Sequence, residues 1–222
     1  MAPTLRDGWG RRCPPAGGGI LPAMTSAPVS RPFRLGFVTG ATPDKWIRAW
    51  RERRRDTLQV VPVSDDEQEV GLRSGDLDVA LVRLPIDRTG LHCIPLYDEV
   101  PVVVAGRDHF VAAADSAVSL ADLVDEQLVL PHPSGWTPTA TQLDWPPMSA
   151  AEAVETVAAG TGIAILPMSV ARLHSRKDVV TRPVTDLEPT TVGLVWRIDA
   201  DDERTQAFVG IVKGRGANST RS

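Results

Sequence analysis

Residues 33–84 read FRLGFVTGATPDKWIRAWRERRRDTLQVVPVSDDEQEVGLRSGDLDVALVRL, and this stretch decides the fold class. Three short apolar runs, at 33–38, 58–63 and 78–84, are separated by two polar segments with helical features. Short apolar runs rich in β-branched residues predict buried strands. Because strands and helices alternate along the chain, the stretch predicts an α/β fold with a mostly parallel sheet.

The first helix of this stretch carries a start signal and a buried face. Thr42 is a predicted N-cap, and Pro43 takes the first helical position that proline favours. Trp46, Ile47 and Trp50 then fall on one side of the helix. We therefore expect this helix to pack against the sheet through its aromatic residues.

The second helix has its own start and stop signals. Asp65 and Asp66 are predicted to cap its beginning, and Gly75 to end it. An extended stretch through residues 94–104 follows the third strand.

The second half of the chain continues the alternation. Ser149 and Glu152 form a capping box that predicts a helix over 150–159, ended by Gly160 and Gly162. The other predicted elements are a short helix at 120–124 capped by Ser119, strands at 127–130, 163–166, 179–184 and 192–196, and a closing helix at 202–212.

Composition narrows the class of protein. Apolar residues make up 42% and charged residues 23%, which are ordinary values for a globular protein. The net charge of −4 divides into +7 over residues 1–60 and −11 over the rest, so tight binding of the main body to DNA phosphates is disfavoured. No apolar run has the length of a membrane span or a signal peptide, and we expect a cytoplasmic protein.

The sequence holds no pattern typical of an enzyme or a metal site. Cys13 and Cys93 form no C-x-x-C pair, and the four histidines share no ligand spacing with cysteines or carboxylates. No phosphate-binding loop, nucleophile elbow or dinucleotide fingerprint is present in the sequence. We therefore expect no catalytic activity, no metal and no cofactor.

Several segments resemble one known family when they are taken in order. They are LRSGDLDVALVRLP at 72–85, GLHCIPLYDEVPVVVAGRDHF at 90–110, SLADLVDEQLVL at 119–130 and VAAGTGIAILPMSVARL at 157–173. Together they resemble the effector-binding domain of LysR-type transcriptional regulators. The resemblance implies a two-lobed fold of the type 2 periplasmic-binding-protein kind, with helices on both sheet faces and a two-crossover hinge near Glu99 and Glu188.

The same resemblance divides the chain. It implies a first lobe from residues 33–98 and 189–215, and a second lobe from residues 99–188 that is shortened at 131–148. Residues 1–32 and 216–222 are expected to be disordered tails. No helix-turn-helix pattern precedes residue 33, so we expect a solitary domain without direct DNA binding.

Candidate ligand residues lie where strands and helices of the two lobes meet. In the first lobe these are Thr39, Gly40, Thr42, Ser64 and Pro85, at the ends of the three strands. Loop amides and hydroxyls at such positions favour an anionic group. Each residue also has a structural interpretation, since Thr42 and Ser64 can act as caps and Pro85 can shape the wall.

In the second lobe the candidates are Ser134, Trp136 and Thr161. Trp136 is suited to stack on a planar ligand, and the alternative is that it only packs against the lobe. Thr161 lies where a helix meets a strand, and the alternative is simple helix termination.

Two functions follow from these expectations. In the first, the domain senses a small metabolite, such as an organic or aromatic acid, and signals through a homodimer or a separate DNA-binding protein. In the second, the cleft is vestigial and the basic helix over 43–55, with Arg53, Arg54 and Arg55, docks a partner regulator.

Overall fold

The computed structural model describes residues 31–214, and residues 1–30 and 215–222 lie outside the described part. The two predicted tails therefore fall almost wholly outside it. Arg31, at the start of the described chain, donates a hydrogen bond to the carbonyl of Gly75.

The first sheet contains five strands. They are β1 (Phe33–Val38), β2 (Leu58–Val63), β3 (Val79–Arg83), β4 (Leu91–Glu99) and β8 (Thr190–Arg197). Their order is β2-β1-β3-β8-β4. The pairs β1/β2 and β1/β3 are parallel, and β3/β8 and β4/β8 are antiparallel.

The second sheet contains three strands, β5 (Pro101–Gly106), β6 (Ile163–Pro167) and β7 (Val179–Pro183). The central strand β5 pairs antiparallel with both neighbours. The expected α/β fold is confirmed. The prediction of mostly parallel sheets is wrong, because only the pairs β1/β2 and β1/β3 are parallel. Parallel pairing needs a long crossover, usually a helix, between the paired strands, and here only β1, β2 and β3 are paired after such crossovers.

The helices are α1 (Asp44–Arg53), α2 (Val70–Ser74), α3 (Ala150–Ala158), α4 (Met168–Leu173) and α5 (Glu203–Val212), and short 3-10 turns lie at Phe110–Ala113, Leu120–Leu123 and Ile198–Ala200. Within residues 31–214, no helix is long and apolar enough to cross a bilayer.

An aromatic core joins the first sheet to α1 and α5. Phe33, Trp50 and Phe208 are fully buried, and the rings of Phe33 and Trp50 stack with centroids 4.8 Å apart. Trp46 is also buried and Ile47 packs on the same cluster, so the predicted inner face of α1 is confirmed. The opposite face of the sheet is covered by a second cluster that includes Leu72 of α2.

The second sheet is also covered on both faces. Val102 and Val104 of β5 pack with α3 and α4, and the alternate residues Val103 and Ala105 pack on a cluster around the two 3-10 turns. This alternation follows from the two-residue repeat of a strand. Both lobes therefore have a core of their own.

Two predicted helix caps are wrong. α1 begins one residue later than predicted, because Pro43 occupies the N-cap position and no side chain caps the helix. Thr42 is exposed. α2 begins at Val70, and its N-cap Glu69 makes no side-chain cap. The Asp65 carboxylate instead accepts a hydrogen bond of 2.7 Å from Arg83, so a charged partner takes it away from the helix amides.

The predicted strand at 127–130 is reduced to one isolated bridge, Leu128 to Ile163. The amide of Leu128 donates to the side-chain oxygen of Gln142 at 2.7 Å, and the Gln142 side chain in turn donates to the carbonyl of Glu126 at 3.0 Å. A side chain thus occupies the position of a neighbouring strand.

Two predicted helix signals are confirmed. They are the capping box of Ser149 at the start of α3 and the end of α2 at Gly75.

Candidate functional site

The carboxyl ends of four strands meet at one edge of the first sheet. β1, β2 and β3 are parallel, and β4 runs in the same direction because both β3 and β4 are antiparallel to β8. Only Val100 separates β4 from β5, and residues 184–189 form the return from β7 to β8. The predicted two-crossover hinge is confirmed.

A buried arginine lies at this edge. The side chain of Arg83, the last residue of β3, is 7% exposed. Its Nε donates to Glu99 at 2.9 Å, its Nη1 to Asp65 at 2.7 Å and its Nη2 to the carbonyl oxygen of Thr39 at 2.6 Å. One guanidinium therefore ties together the ends of β1, β2, β3 and β4.

Ser169, in the first turn of α4, brings the second lobe to the same point. Its hydroxyl accepts from Nη2 of Arg83 at 3.3 Å and donates to the carboxylate of Glu99. Gly40 packs closely against it, since a Cβ at Gly40 would lie 2.6 Å from the Ser169 hydroxyl and 3.0 Å from the amide nitrogen of Val170. Thr39, Gly40, Asp65, Arg83, Glu99 and Ser169 are called the Arg83 cluster below.

Gln68 holds the backbone of Arg83 in place, and the Arg83 cluster contains two carboxylates and one guanidinium. The side-chain amide of Gln68 accepts from the Arg83 amide at 2.7 Å and donates to its carbonyl at 2.9 Å. The Glu99 side chain is 4% exposed, and the Asp65 side chain is 48% exposed. Partial burial raises the pKa of Asp65 above its ordinary value against the pull of Arg83, and the nearby carboxylates of Glu99 and Asp66 add to the rise.

The predicted ligand residues of the first lobe are only partly brought together. Thr39 and Gly40 belong to the Arg83 cluster, but Thr39 enters it through its carbonyl oxygen and Gly40 through backbone packing. Ser64 is exposed beside Asp65, and Pro85 is exposed after a cis peptide bond. Thr42 is exposed, and the structure gives it no bond to the cluster within residues 31–214.

The predicted residues of the second lobe lie elsewhere. Ser134 forms a turn with His132, whose Nδ1 is 2.8 Å from the serine hydroxyl, and the amide of Trp136 donates to that hydroxyl at 3.2 Å. Trp136 packs on the apolar cluster that contains Val103, so packing is its observed role. Thr161 is exposed. In the described chain no hydrogen bond joins these residues to the Arg83 cluster.

Four residues of the cluster, Asp65, Arg83, Glu99 and Ser169, were not predicted as site residues from the sequence. Arg83, Glu99 and Ser169 make the central bonds, yet Glu99 was expected only to mark the hinge. One signal was available, because Arg83 ends a strand, VALVR, whose other residues are apolar and whose positions are all buried. A buried arginine needs acidic partners, and the sequence does not tell which acids reach it.

Two surface depressions lie in or near the second lobe. One of about 860 Å³ is lined by residues 106–109, 158–160, 162 and 176–178, at the end of β5 that is remote from the hinge. Arg176 and Asp178 pair there, which holds the pKa of Asp178 at about 2. The other, of about 450 Å³, is lined by Val100, Pro101 and residues 183–189 at the hinge. The larger depression is therefore not at the predicted cleft.

The described residues 31–214 contain no group of three or more His, Cys, Asp or Glu side chains arranged to hold a metal ion. His132 is buried, and its desolvation lowers the pKa of the imidazole below the ordinary value.

Comparison with known protein families decides the identity of the fold. The sequence model of one protein family, the LysR substrate binding domain, matches residues 26–217 of this chain. The chain belongs to this family. Two solved LysR effector domains share its fold. The effector binding domain of a BenM variant has a TM-score of 0.66 at 20% identity, and covers 83% of this chain and 96% of that one. The OxyR regulatory domain C199D mutant from Pseudomonas aeruginosa has a TM-score of 0.63 at 23% identity, with 83% and 95% coverage.

Curated relatives of this LysR substrate binding domain are transcription regulators. A probable hydrogen peroxide-inducible genes activator of Mycobacterium avium is 28% identical over 210 residues, which are 86% of this chain and 67% of that protein. The Hca operon transcriptional activator HcaR of Escherichia coli is 26% identical over 211 residues, covering 86% and 70%. The expected type 2 periplasmic-binding-protein architecture is confirmed for the LysR domain.

Proposed function

We propose that this LysR domain senses a small molecule between its two lobes and thereby acts in transcription regulation. The observation that carries the proposal is the position of the Arg83 cluster. It joins the carboxyl ends of four strands to the first turn of α4, and the carboxyl ends of strands are where open α/β folds bind their ligands.

The same cluster supplies a way to convert binding into movement. Ser169 and Gly40 form one contact between the lobes, and the buried charges of Arg83 and Glu99 make that contact sensitive to any group placed beside them. A ligand that favours one lobe arrangement over the other shifts the population towards it. A difference of about 1.4 kcal/mol in binding free energy shifts the ratio tenfold.

The names of the relatives suggest two kinds of signal. One solved structure is the BenM effector binding domain with its effector benzoate, and several curated relatives are hydrogen peroxide-inducible activators. Peroxide reacts with thiolates. Cys93 is partly buried, its pKa is raised by that burial, and no disulfide partner is described for it. We therefore favour reversible ligand binding over thiol oxidation at Cys93.

We extend the proposal to the output of the domain. Full-length LysR structures, such as CbnR with its target DNA, contain a domain of this fold. We propose that the present domain works in the cytoplasm as a homodimer and passes its signal to a DNA-binding protein. A change in lobe arrangement alters the surface that such a partner meets.

A second candidate function is a protein-interaction module with a vestigial cleft. It is favoured by the close packing of Gly40 on Ser169, which leaves little space between the lobes at that point. Arg54 is already paired with Asp56 and Glu203, so the docking helix would act through Arg48 and Arg51, which line a depression of about 310 Å³ on α1.

A thermal-shift screen of the purified chain tests the sensing function. A ligand at about 100 times its Kd adds about 2.7 kcal/mol, or roughly 5–10 °C for a domain of this size. We expect the shift to be lost in Ser169→Ala and retained in Ser175→Ala, an exposed serine just beyond α4. No shift from any ligand in a folded wild-type protein contradicts sensing.

The same preparation tests the alternative. Under the interaction-module function, Arg48→Glu with Arg51→Glu abolishes capture of a partner regulator and Ser169→Ala does not. The reverse pattern supports a cleft that regulates the partner contact.

A further inference from the structure

Arg83 has a strand neighbour on one side only. The last pair between β1 and β3 is Phe37 with Leu81, two residues before Arg83. β8 pairs with β3 as far as Arg83 itself, and the amide of Leu84 donates to the carbonyl of Thr191 at 2.8 Å. In this antiparallel pattern the amide and the carbonyl of Arg83 point away from β8. They need another partner, because buried peptide groups are costly when they are left without a hydrogen bond.

The side chain of Gln68 takes the place beside Arg83 that β1 has left. Its oxygen accepts from the Arg83 amide at 2.7 Å, and its nitrogen donates to the Arg83 carbonyl at 2.9 Å. A primary amide offers one acceptor and one donor side by side, as the backbone of a neighbouring strand does. Gln68 is half-buried and lies just before α2, so a residue outside the sheet completes the pairing of the last residue of β3.

The position of the Arg83 backbone decides which partners its guanidinium reaches. The bonds from Arg83 to Asp65 and Glu99 are 2.7 and 2.9 Å long, which is ordinary for hydrogen bonds of this kind. The bond from Nη2 to the hydroxyl of Ser169, in the second lobe, is 3.3 Å long. That length already exceeds the usual limit of about 3.2 Å, so a shift of Arg83 by about 0.5 Å away from Ser169 ends this bond first. The contact between the lobes is therefore the one most sensitive to the placement of Arg83.

We infer that Gln68 is a positioning residue for the contact between the lobes. It holds both backbone polar groups of Arg83 and thereby keeps the guanidinium within reach of Ser169. Its loss releases that contact while each lobe stays folded on its own core. The inference deepens the proposed sensing function and rests on it for its regulatory meaning, because the lobe arrangement is the signal there. Its test needs no ligand, so the two can fail separately.

Hydrogen exchange followed by mass spectrometry measures the lobe contact directly. Residues 38–42 and 168–173, which carry Gly40 and Ser169, are called the contact segments. Gln68→Met keeps the length of the side chain and removes its polar groups. In this variant the contact segments are expected to exchange about fivefold faster than in wild type, the factor that one lost hydrogen bond of ordinary strength produces. Residues 150–158 of α3 are expected to keep their wild-type rates, because α3 packs on the core of the second lobe.

Gln142→Met is the matched control. The Gln142 side chain also bonds a backbone on both sides, since it accepts from the Leu128 amide at 2.7 Å and donates to the Glu126 carbonyl at 3.0 Å. Leu128 is bridged to Ile163, the first residue of β6, whereas α4 follows the last residue of that strand. Gln142→Met is therefore expected to speed exchange at residues 126–129 and to leave the contact segments unchanged.

A double-variant cycle with Ser169→Ala separates positioning from general loosening. If Gln68 acts through the bond between Arg83 and Ser169, Gln68→Met adds no further exchange at the contact segments once that bond is gone. A Gln68 that only stabilises the first lobe adds its full effect in both backgrounds, and that result overturns the inference.

Two other results overturn the inference. One is faster exchange in Gln68→Met around Arg83 alone, and the other is an equal change of the contact segments in Gln142→Met. If Gln68→Met does not fold, Gln68→Glu is measured against the same controls and decides in the same way, because it keeps the oxygen for the Arg83 amide and loses the donor to the Arg83 carbonyl. A chain that binds no ligand in the thermal-shift screen contradicts the sensing function alone.

Discussion

Replacement of Arg83 by methionine is expected to be among the most destabilising single changes in the first lobe. The change leaves Glu99, at 4% exposure, as an unpaired buried carboxylate and removes the donor to the Thr39 carbonyl. Breaking a buried ion pair from one side costs about 3–5 kcal/mol. Asp65, at 48% exposure, is rehydrated and adds less than about 1 kcal/mol.

The assays are urea unfolding, which gives the free energy of unfolding, and thermal unfolding, which gives Tm, both followed by circular dichroism and tryptophan fluorescence. A loss of about 4 kcal/mol corresponds to a fall of roughly 8–16 °C in Tm for a domain of this size. Arg73→Met is the matched control, because Arg73 is 38% exposed and pairs with Glu69 on the surface of α2. That control is expected to cost less than about 1 kcal/mol.

The double variant Arg83→Met with Glu99→Leu removes both buried charges. It is expected to recover at least about 2 kcal/mol of the single loss, since an apolar pair needs no counter-charge. The reasoning is refuted if Arg83→Met unfolds at the same urea concentration as Arg73→Met, or if the double variant is as unstable as the sum of both single variants.

Three further predictions concern the lobe contact, pH and the thiol. Gly40 has a φ of +86°, and a Cβ there would lie 2.6 Å from the Ser169 hydroxyl, so Gly40→Ala should lower the stability of the fold and enlarge the radius of gyration in solution scattering. Gly135 has a φ of +76° with open space around it, so the control Gly135→Ala should lower stability only. Burial lowers the pKa of His132 below 6.5 and so favours the neutral imidazole in the folded protein. Its contribution to the free energy of unfolding is therefore complete above pH 6.5 and is lost as the pH falls through the lower pKa of the folded state. Urea unfolding between pH 8 and pH 5 should show this loss of stability, and the stability of His132→Gln should depend less on pH over the same range. Cys93 should react with iodoacetamide at pH 7.5 more slowly than a free thiol, because burial raises its pKa; equal rates by peptide-resolved mass spectrometry contradict this.

Local signals in the sequence predicted local structure well. β1 and β2 have the predicted bounds, 33–38 and 58–63, and Gly75 ends α2 in a left-handed conformation. The Ser149 capping box also forms as predicted. Each of these features depends on groups within a few residues of each other, and the chain holds them together before any tertiary contact is made.

In two of the failed predictions, a side chain from elsewhere in the chain binds the group that was expected to serve local structure. Asp65 was expected to cap a helix, and Arg83, 18 residues away, takes its carboxylate. Leu128 was expected in a strand, and the Gln142 side chain, 14 residues away, accepts its amide hydrogen bond. A local pattern cannot show that a stronger partner arrives from elsewhere.

The sequence by itself therefore determined the α/β class, most of the elements and the family, because periodicity, caps and ordered motifs are properties of neighbouring residues. The Arg83 cluster was decided by tertiary structure alone. The partners of Arg83 lie 16, 18, 44 and 86 residues from it in the chain, and folding of both lobes is needed to bring them within hydrogen-bond distance. Since a buried charge is stable only with its partners in place, this cluster follows from the folded arrangement and not from any one segment.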